Sequence, residues 1–273
     1  MPALQLAGLR QLMGGACYVL FFLLRGYKLP RGREWTPILV LSFLNFLMSN
    51  GLTTWGVKYI SAGLGAIISA IFPLWIVVIG LFSSKARMSR QAVIGLVIGF
   101  SGVCLIFYDH LQDFLNRDFR FGILLSLIAT WTWAFGTVYT KKQAANFNPY
   151  FSLGLQMAIS GIFLSVLTNL THEAVPLTAI PWQSWIAMAY LVIFGSVISF
   201  IAYLYALQNL APEQTSIYAY INPIVAVLLG WLLLSERLTL FIAIGGAVSL
   251  LGVYIVNKAY RISSSKIPET EGV

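Results

Sequence analysis

The sequence predicts an all-α polytopic membrane protein whose nine transmembrane helices come from a ten-helix architecture of two inverted five-helix repeats. The composition, the spacing of the apolar segments and an internal repeat lead to this prediction. Of the 273 residues, 59% are hydrophobic and 10% are charged, and the mean hydropathy is +0.82. A soluble domain carries about 25% charged residues. We therefore expect the chain to lie in a lipid bilayer, with its net charge of +8 in short loops and no nucleic-acid partner.

The chain repeats itself at an offset of 150 residues. Trp55–Leu105 aligns without a gap on Tyr205–Ile255. The identical positions are Ile67/Ile217, Ile71/Ile221, Pro73/Pro223, Val77/Val227, Gly80/Gly230, Arg87/Arg237, Ile94/Ile244, Gly95/Gly245, Gly102/Gly252 and Val103/Val253. Shared apolar composition explains the isoleucines and valines, but it does not explain a proline and three glycines in register. A repeat in an apolar chain is typical of a transporter with its site between two halves.

Nine apolar stretches are long enough to cross a bilayer, which takes about 20 residues of helix. Charged or turn-forming loops separate most of them, whereas the break between the seventh and eighth depends mainly on Pro212. In chain order, α1 to α9 are predicted over 4–24, 36–57, 63–84, 91–108, 121–140, 149–170, 184–207, 214–234 and 239–257.

The basic residues of the loops predict the orientation. One set of alternate loops, together with the C-terminal tail, carries Arg25, Lys28, Arg31, Arg33, Lys85, Arg87, Arg90, Lys141, Lys142, Lys258, Arg261 and Lys266. The other set carries Lys58, Arg117, Arg120 and Arg237. Because basic loops stay on the cytoplasmic side, we expect a cytoplasmic C-terminus and Met1 on the outside.

The two halves differ by one helix. Helices α2 to α4 correspond to α7 to α9, and α1 corresponds to α6 at an offset of 146, which matches Arg10 with Gln156 and Gly15 with Gly161. Helix α5 has no counterpart, so we expect that a helix belonging before residue 1 is missing. A unit of five helices crosses the membrane an odd number of times, which makes its two copies inverted.

These correspondences divide the chain into four predicted regions. The first repeat, with four helices, covers 1–108, and an outer loop covers 109–120. The second repeat, with five helices, covers 121–258, and a disordered cytoplasmic tail covers 259–273.

Several segments resemble the EamA-type drug/metabolite transporters. They are the proline-containing α3 and α8, the loop Ser235-Glu236-Arg237-Leu238-Thr239, Gly245-Gly246 through Gly252, and the opening Leu6-Ala7-Gly8-Leu9-Arg10, which is similar to that family's second helix. The resemblance implies a multi-pass protein of the bacterial inner membrane that exports amino acids or other metabolites by alternating access. It also implies that α3 and α8 line the central cavity and that α4 and α9 pack outside it.

Pro73 and Pro223 occupy matching places in α3 and α8, about ten residues into each helix. Proline removes a backbone donor and frees a carbonyl one turn earlier, which bends the helix. We interpret the pair as hinges that line the substrate site, although prolines that serve helix packing alone are also common in membranes.

Small residues follow each other at helical spacing on α4 and α9. Gly95, Gly99 and Gly102 match Gly245, Ser249 and Gly252. This spacing lets helices approach closely. Packing within the chain is the favoured interpretation, and a homodimer through one of these faces is the alternative.

Polar and aromatic residues within the spans give the candidate substrate-binding set. Arg10 is the one base within a predicted span, and it either meets a substrate carboxylate or pairs inside the protein or with the membrane surface. Amides in hydrocarbon need a partner, and Asn222, beside Pro223, is the favoured one. The full set is Asn222, Tyr220, Tyr218, Trp133, Tyr203, Asn50 and Arg10.

What the spans lack narrows the function. No Asp or Glu lies deep in any predicted span, so the energy coupling stays open, and a lone arginine favours a neutral or zwitterionic solute over a phosphate. We expect a secondary transporter, in the export direction, of a small metabolite such as an amino acid, with no cofactor, no metal and no catalytic residue. A lipid-carrier flippase is the alternative. An intramembrane enzyme is less favoured, because the sequence has no HExxH or GxSxG motif.

Overall fold

The computed structural model is helical throughout the residues it describes, which are 1–83, 89–109, 115–143, 148–210, 212–220, 222, 225, 229, 231–232 and 239–264. Within these ranges five helices are long and apolar enough to cross a membrane. Shorter apolar helices lie among them, and we find no strand in the described residues. The all-α polytopic membrane fold predicted from the sequence is confirmed.

The helices follow the predicted order. Helix α1 is Ala3–Leu24, α4 is Arg90–Asp109, α5 is Arg117–Gln143, α6 is Pro149–Leu170 and α9 is Leu240–Ser264. Helix α2 runs from Gly32 to Gly56 and α7 from Trp182 to Asn209, each with a π-helical segment inside it. Helix α3 has two parts, Ala62–Ser69 and Phe72–Ser83, and α8 begins as Pro212–Thr215 followed by the 3-10 turn Ser216–Tyr220. The break that Pro212 predicts is confirmed, because α7 ends at Asn209.

Two helix crossings show the internal symmetry directly. Helix α4 packs on α9, where a Cβ added to Gly95 would lie 2.6 Å from the carbonyl oxygen of Gly252, and one added to Gly102 would lie 2.6 Å from that of Gly245. The 150-residue offset exchanges these two contacts. Side chains larger than hydrogen would therefore separate the helices, as expected of a small-residue crossing.

Helices α1 and α6 cross in the same way. A Cβ on Gly15 would lie 2.8 Å from the carbonyl oxygen of Gly154, and one on Gly161 would lie 3.0 Å from that of Gly8. The 146-residue offset exchanges these two contacts as well. Each crossing thus joins a helix of one half to its own counterpart in the other half, as two copies of one unit do when they pack about a twofold axis.

The glycine faces named for a homodimer contact each other within one chain. Ser249 Oγ also donates a hydrogen bond to the carbonyl oxygen of Gly99, at 3.2 Å. A dimer built on these faces would first have to separate α4 from α9.

The middle helices of the two halves share an irregularity that the sequence does not signal. Helix α2 is π-helical over Ser42–Gly51, and α7 is π-helical over Leu191–Ile198. The 150-residue offset places the first segment on 192–201, so the two nearly coincide. Such wide turns are rare and are frequently found at functional sites.

Helix α3 is interrupted where Pro73 predicts. The amide of Ala70 still donates to the carbonyl of Ala66, four residues back, but the amide of Ile71 donates to the carbonyl of Ile68, three residues back, at 3.1 Å. The second half, from Phe72, packs on α5 and on the 3-10 turn of α8. That turn, Ser216–Tyr220, matches positions 66–70 of α3. Pro223 itself lies outside the described residues, as do Lys85, Arg87, Arg237 and Lys266 among the basic residues on which the predicted orientation depends.

Candidate functional site

A cavity of about 240 Å³ lies between the two halves of the chain, and we call it the Arg10 cavity. Helices α1, α2, α3, α5, α7 and α8 all contribute to it. The residues that line it are Arg10, Ser49, Asn50, Thr53, Thr54, Ser69, Phe72, Thr130, Trp133, Phe200, Tyr218, Ala219 and Asn222. One basic and several hydroxyl side chains share the cavity with aromatic rings, and none of these lining residues is acidic.

The arginine is held by an amide relay. Arg10 Nη2 donates to Asn50 Oδ1 at 2.8 Å, and Asn50 Nδ2 donates to the carbonyl oxygen of Asn45 at 2.7 Å. That second bond spans five residues of the π-helical segment, so the irregular turn of α2 sets the position of Asn50. Arg10 Nε is buried and finds no hydrogen-bond partner among the described residues. An amide orients a guanidinium but brings no charge to offset it.

The hydroxyl groups of the Arg10 cavity mostly donate to their own helices. Thr54 Oγ1 donates to the carbonyl of Asn50 at 2.8 Å. Ser69 Oγ donates to that of Gly65 at 2.9 Å, and Thr130 Oγ1 to that of Ser126 at 2.8 Å. A carbonyl only accepts, so the hydroxyl proton is committed in each case and the oxygen keeps lone pairs to offer.

An aromatic cluster closes one end of this cavity. Trp133 Nε1 donates to Tyr218 Oη at 3.0 Å, and the Trp133 and Tyr203 rings lie 5.3 Å apart. Tyr203 Oη pairs with Thr137 Oγ1 at 2.7 Å, and the Tyr203 and Tyr218 rings lie 5.8 Å apart. Phe200 completes the cluster, with its ring 6.0 Å from that of Trp133. Rings from α5, α7 and α8 thus meet at one place.

A second cavity lies on the other side of this cluster, and we call it the Gln156 cavity. Its volume is about 50 Å³, which is room for a few water molecules. The residues that line it are Glu34, Pro37, Ile38, Leu41, Asn45, Trp133, Thr140, Pro149, Ser152, Leu153, Gln156, Phe200, Tyr203 and Leu204. Gly136 leaves room for the Asn45 side chain there, because an added Cβ would collide with Asn45 Oδ1.

The internal repeat relates the two cavities to each other. The 146-residue offset matches Arg10 with Gln156, and the 150-residue offset matches Asn50 with Phe200, Thr53 with Tyr203 and Thr54 with Leu204. The first residue of each pair lines the Arg10 cavity and the second lines the Gln156 cavity, while Phe200 lies on the boundary and lines both. The cavities are therefore counterparts in the two halves, and their shared boundary is the cluster at Trp133.

A third cavity, of about 480 Å³, lies between α7 and α8. The residues that line it are Trp133, Ser199, Phe200, Ala202, Tyr203, Ala206, Thr215, Tyr218 and Asn222. Trp133 consequently lines all three cavities.

Six of the seven predicted substrate-binding residues lie around these cavities. Arg10, Asn50, Tyr218 and Asn222 line the Arg10 cavity, Tyr203 lines the Gln156 cavity, and Trp133 lines both. The side chain of Tyr220 lies outside the described residues. Their role in binding a substrate stays a prediction.

Sequence reasoning missed the hydroxyl residues and Phe200. On α2, Asn50, Thr53 and Thr54 form a polar stripe at helical spacing, which is a usable signal in an apolar helix. Phe200 carries no such signal, because aromatic side chains are equally common on lipid-facing surfaces. The internal repeat does identify Phe200, because extending the 150-residue offset to α2 and α7 matches Phe200 with Asn50.

Comparison with known proteins gives a family and several relatives. The model of the EamA-like transporter family matches residues 1–108 and 120–258. The uncharacterized inner membrane transporter YedA of Escherichia coli K12 is 33% identical over 241 residues, which cover 87% of this chain and 76% of that protein. The uncharacterized transporter YvbV of Bacillus subtilis is 29% identical over 276 residues, covering 98% of this chain and 88% of the relative.

More distant matches extend to plants and to solved structures. The chloroplastic WAT1-related protein At3g02690 of Arabidopsis thaliana is 27% identical over 257 residues, covering 92% of this chain and 62% of that protein. One crystal structure superimposes with a TM-score of 0.70 at 18% identity, covering 96% of this chain and 90% of the other. At that identity the superposition supports the fold alone.

Proposed function

The chain belongs to the EamA-like transporter family, and from that premise we propose that it moves a small neutral or zwitterionic metabolite, such as an amino acid, by alternating access between its two inverted repeats. The observation that carries this proposal is the pair of cavities related by the repeat offset and separated by the cluster at Trp133. In an inverted-repeat transporter, one half rocks against the other around a fixed central site. One cavity then opens as its counterpart closes.

The volumes of the two cavities fit a state of the transport cycle in which the Arg10 cavity is open and the Gln156 cavity is closed. The Arg10 cavity, at about 240 Å³, has room for a small solute, whereas the Gln156 cavity, at about 50 Å³, does not. With the orientation that the loop charges predict, the open cavity faces the outside of a bacterial inner membrane and the C-terminus lies in the cytoplasm.

A contact between α5 and the end of α7 lies beside the Gln156 cavity, and we call it the Lys141 latch. Lys141 Nζ, at the end of α5, donates to the carbonyl oxygens of Leu207, Gln208 and Leu210, at 2.7, 3.1 and 3.0 Å. These carbonyls end α7, where a cation is favoured by the helix dipole. Thr140 and Leu204 line the Gln156 cavity nearby. We propose that this latch opens when the cavity opens.

A transport assay tests the proposed function. The full chain in inside-out membrane vesicles is expected to concentrate at least one member of a panel of radiolabelled amino acids, and right-side-out vesicles should take it up more slowly if export is the working direction. Vesicles without the chain are the control. Failure of the whole panel would contradict the proposal.

The third cavity supports a second candidate, a lipid-carrier flippase. Ser199 and Ala202 line this cavity between α7 and α8, and both are exposed. A flippase needs a site that lipid reaches from the side. Movement of a labelled polyprenyl-phosphate carrier across the same vesicles, without transport of any amino acid, would favour this function. The proposed role is non-enzymatic in either case.

A further inference from the structure

The Arg10 cavity contains a positive charge that the described residues do not offset. Arg10 lies seven residues beyond the start of α1, about 10 Å along the helix and thus inside the hydrocarbon. Its guanidinium does not extend to the membrane surface, because Nη2 is bonded to Asn50 and Nε is buried without a partner among the described residues. A buried guanidinium of this kind is stabilised by an anion.

The same cavity offers acceptors for a cation. The hydroxyl protons of Thr54, Ser69 and Thr130 are committed to backbone carbonyls, so their oxygens accept hydrogen bonds and do not donate. Pro73 has no amide proton, which leaves the carbonyl of Ser69 without its usual helical donor. The ring of Trp133, in the same lining, adds a face that attracts cations.

We propose that the Arg10 cavity recognises a zwitterion, with the solute's carboxylate on Arg10 and its ammonium on the acceptor oxygens of Thr54, Ser69 and Thr130. This narrows the substrate class of the proposed function, on which it rests, to small amino acids. A dicarboxylate lacks a second base in this lining, and a simple amine lacks a carboxylate. The volume of about 240 Å³ lies below the range of about 300–1,000 Å³ found for drug-sized ligands, which fits a solute of this size.

Binding measurements on the purified full chain test the role of the solute's carboxylate separately from that of its ammonium group. The probes are alanine, leucine and phenylalanine, each compared with its carboxamide, which lacks the carboxylate, and with its decarboxylated amine. Calorimetry and thermal stabilisation in detergent measure affinity independently of transport. At least one amino acid is expected to bind roughly 10- to 100-fold more tightly than its carboxamide and its amine, which is the usual cost of losing a hydrogen bond to a charged group.

Substitutions assign each charge to its residues. Arg10→Gln places on α1 the residue that its counterpart Gln156 has on α6, and it is expected to abolish the preference for the acid over the carboxamide. Arg10→Lys keeps the charge and should retain much of that preference. Thr54→Val removes one acceptor at constant shape and should weaken the acid and the carboxamide alike, by about three- to tenfold.

The results distinguish a failure of the zwitterion site from a failure of the proposed transport function. Equal affinity of the wild-type chain for acid and carboxamide, binding of none of the probes, or an equal loss for both in Arg10→Gln overturns the zwitterion site. If Arg10→Gln does not fold, two measurements still test the zwitterion site. Arg10→Lys should retain much of the preference for the acid over the carboxamide, and Thr54→Val should weaken the binding of both alike. Zwitterion-selective binding without uptake into vesicles would instead contradict the proposed function and leave the site intact.

Discussion

The Arg10 cavity and the Gln156 cavity are counterparts in the two repeats, but they differ in chemistry and in openness. Arginine, asparagine and two threonines on one side correspond to glutamine, phenylalanine, tyrosine and leucine on the other, in the order given above. The repeated backbone thus supplies two equivalent places, while the side chains make one place polar and the other largely apolar. A solute with charged ends is expected to bind firmly in the first cavity and to leave readily from the second.

Trp133 lies at the boundary of the two cavities, and its substitution should reduce amino-acid uptake more than any other change proposed below. Trp133→Leu removes the hydrogen bond to Tyr218 and one of the two aromatic rings, with that of Phe200, that line both cavities. We expect amino-acid uptake into proteoliposomes to fall by roughly 10- to 100-fold, because several contacts of a partly buried aromatic are lost together. Trp131→Leu on the same helix is the matched control, since Trp131 is 44% exposed and should change uptake less than about twofold. Similar losses in both variants would argue against a special role for Trp133.

Asn50→Asp tests the uncompensated charge of the Arg10 cavity. The new carboxylate would stand where the amide oxygen now accepts from Arg10 at 2.8 Å and would compete with the solute. The variant should bind amino acids about tenfold more weakly and yet melt at a higher temperature, because a buried charge gains a partner. Calorimetry and a melting curve measure the two effects. A lower melting temperature together with unchanged affinity would show that Arg10 is already neutralised.

Substitutions at the crossing of α4 and α9 should change the stability of the fold and should alter the accessibility of both cavities equally. In Gly102→Ala the added Cβ would collide with the backbone nitrogen of Ser249, whereas in Gly99→Ala it would meet Leu74 Cδ1 at an ordinary 3.5 Å. Overpacking costs about 1–3 kcal/mol, so Gly102→Ala should melt several degrees below the wild type while Gly99→Ala changes little. The folded fraction should bind amino acids normally. Selective loss of one cavity's accessibility would contradict the symmetric role of this crossing.

Lys141 should bias the equilibrium between the two cavities by a smaller amount. Lys141→Gln loses the charge that caps the end of α7. In a chain that carries Leu204→Cys in the Gln156 cavity, with Cys17 and Cys104 replaced by serine, we expect the labelling rate of that thiol to rise by roughly two- to fivefold. Lys142→Gln is the neighbouring control, because Lys142 is exposed. The same increase in both variants would point to general charge effects.

The sequence predicted much of this arrangement, for reasons that particular residues show. Pro73 signalled the interruption of α3 because a missing amide proton acts locally, and Gly95 and Gly102 signalled a close crossing because spacing alone creates the smooth face. The π-helical segments left no such signal, since apolar periodicity does not distinguish a bond to the fourth residue from one to the fifth. The relay from Arg10 through Asn50 to the carbonyl of Asn45 depends on that wide turn, so it required the structure.

Alternating access predicts that the two cavities open in turn to opposite sides of the membrane. Thr54 and Leu204 occupy matched positions, one in each cavity. In a chain with Cys17 and Cys104 replaced by serine, Thr54→Cys and Leu204→Cys are each labelled with a membrane-impermeant maleimide in vesicles of both orientations, with and without a transported amino acid. We predict labelling from opposite sides, and a shift by the amino acid that raises one rate and lowers the other. Labelling of both positions from one side, or parallel changes at both, would contradict alternating access in this chain.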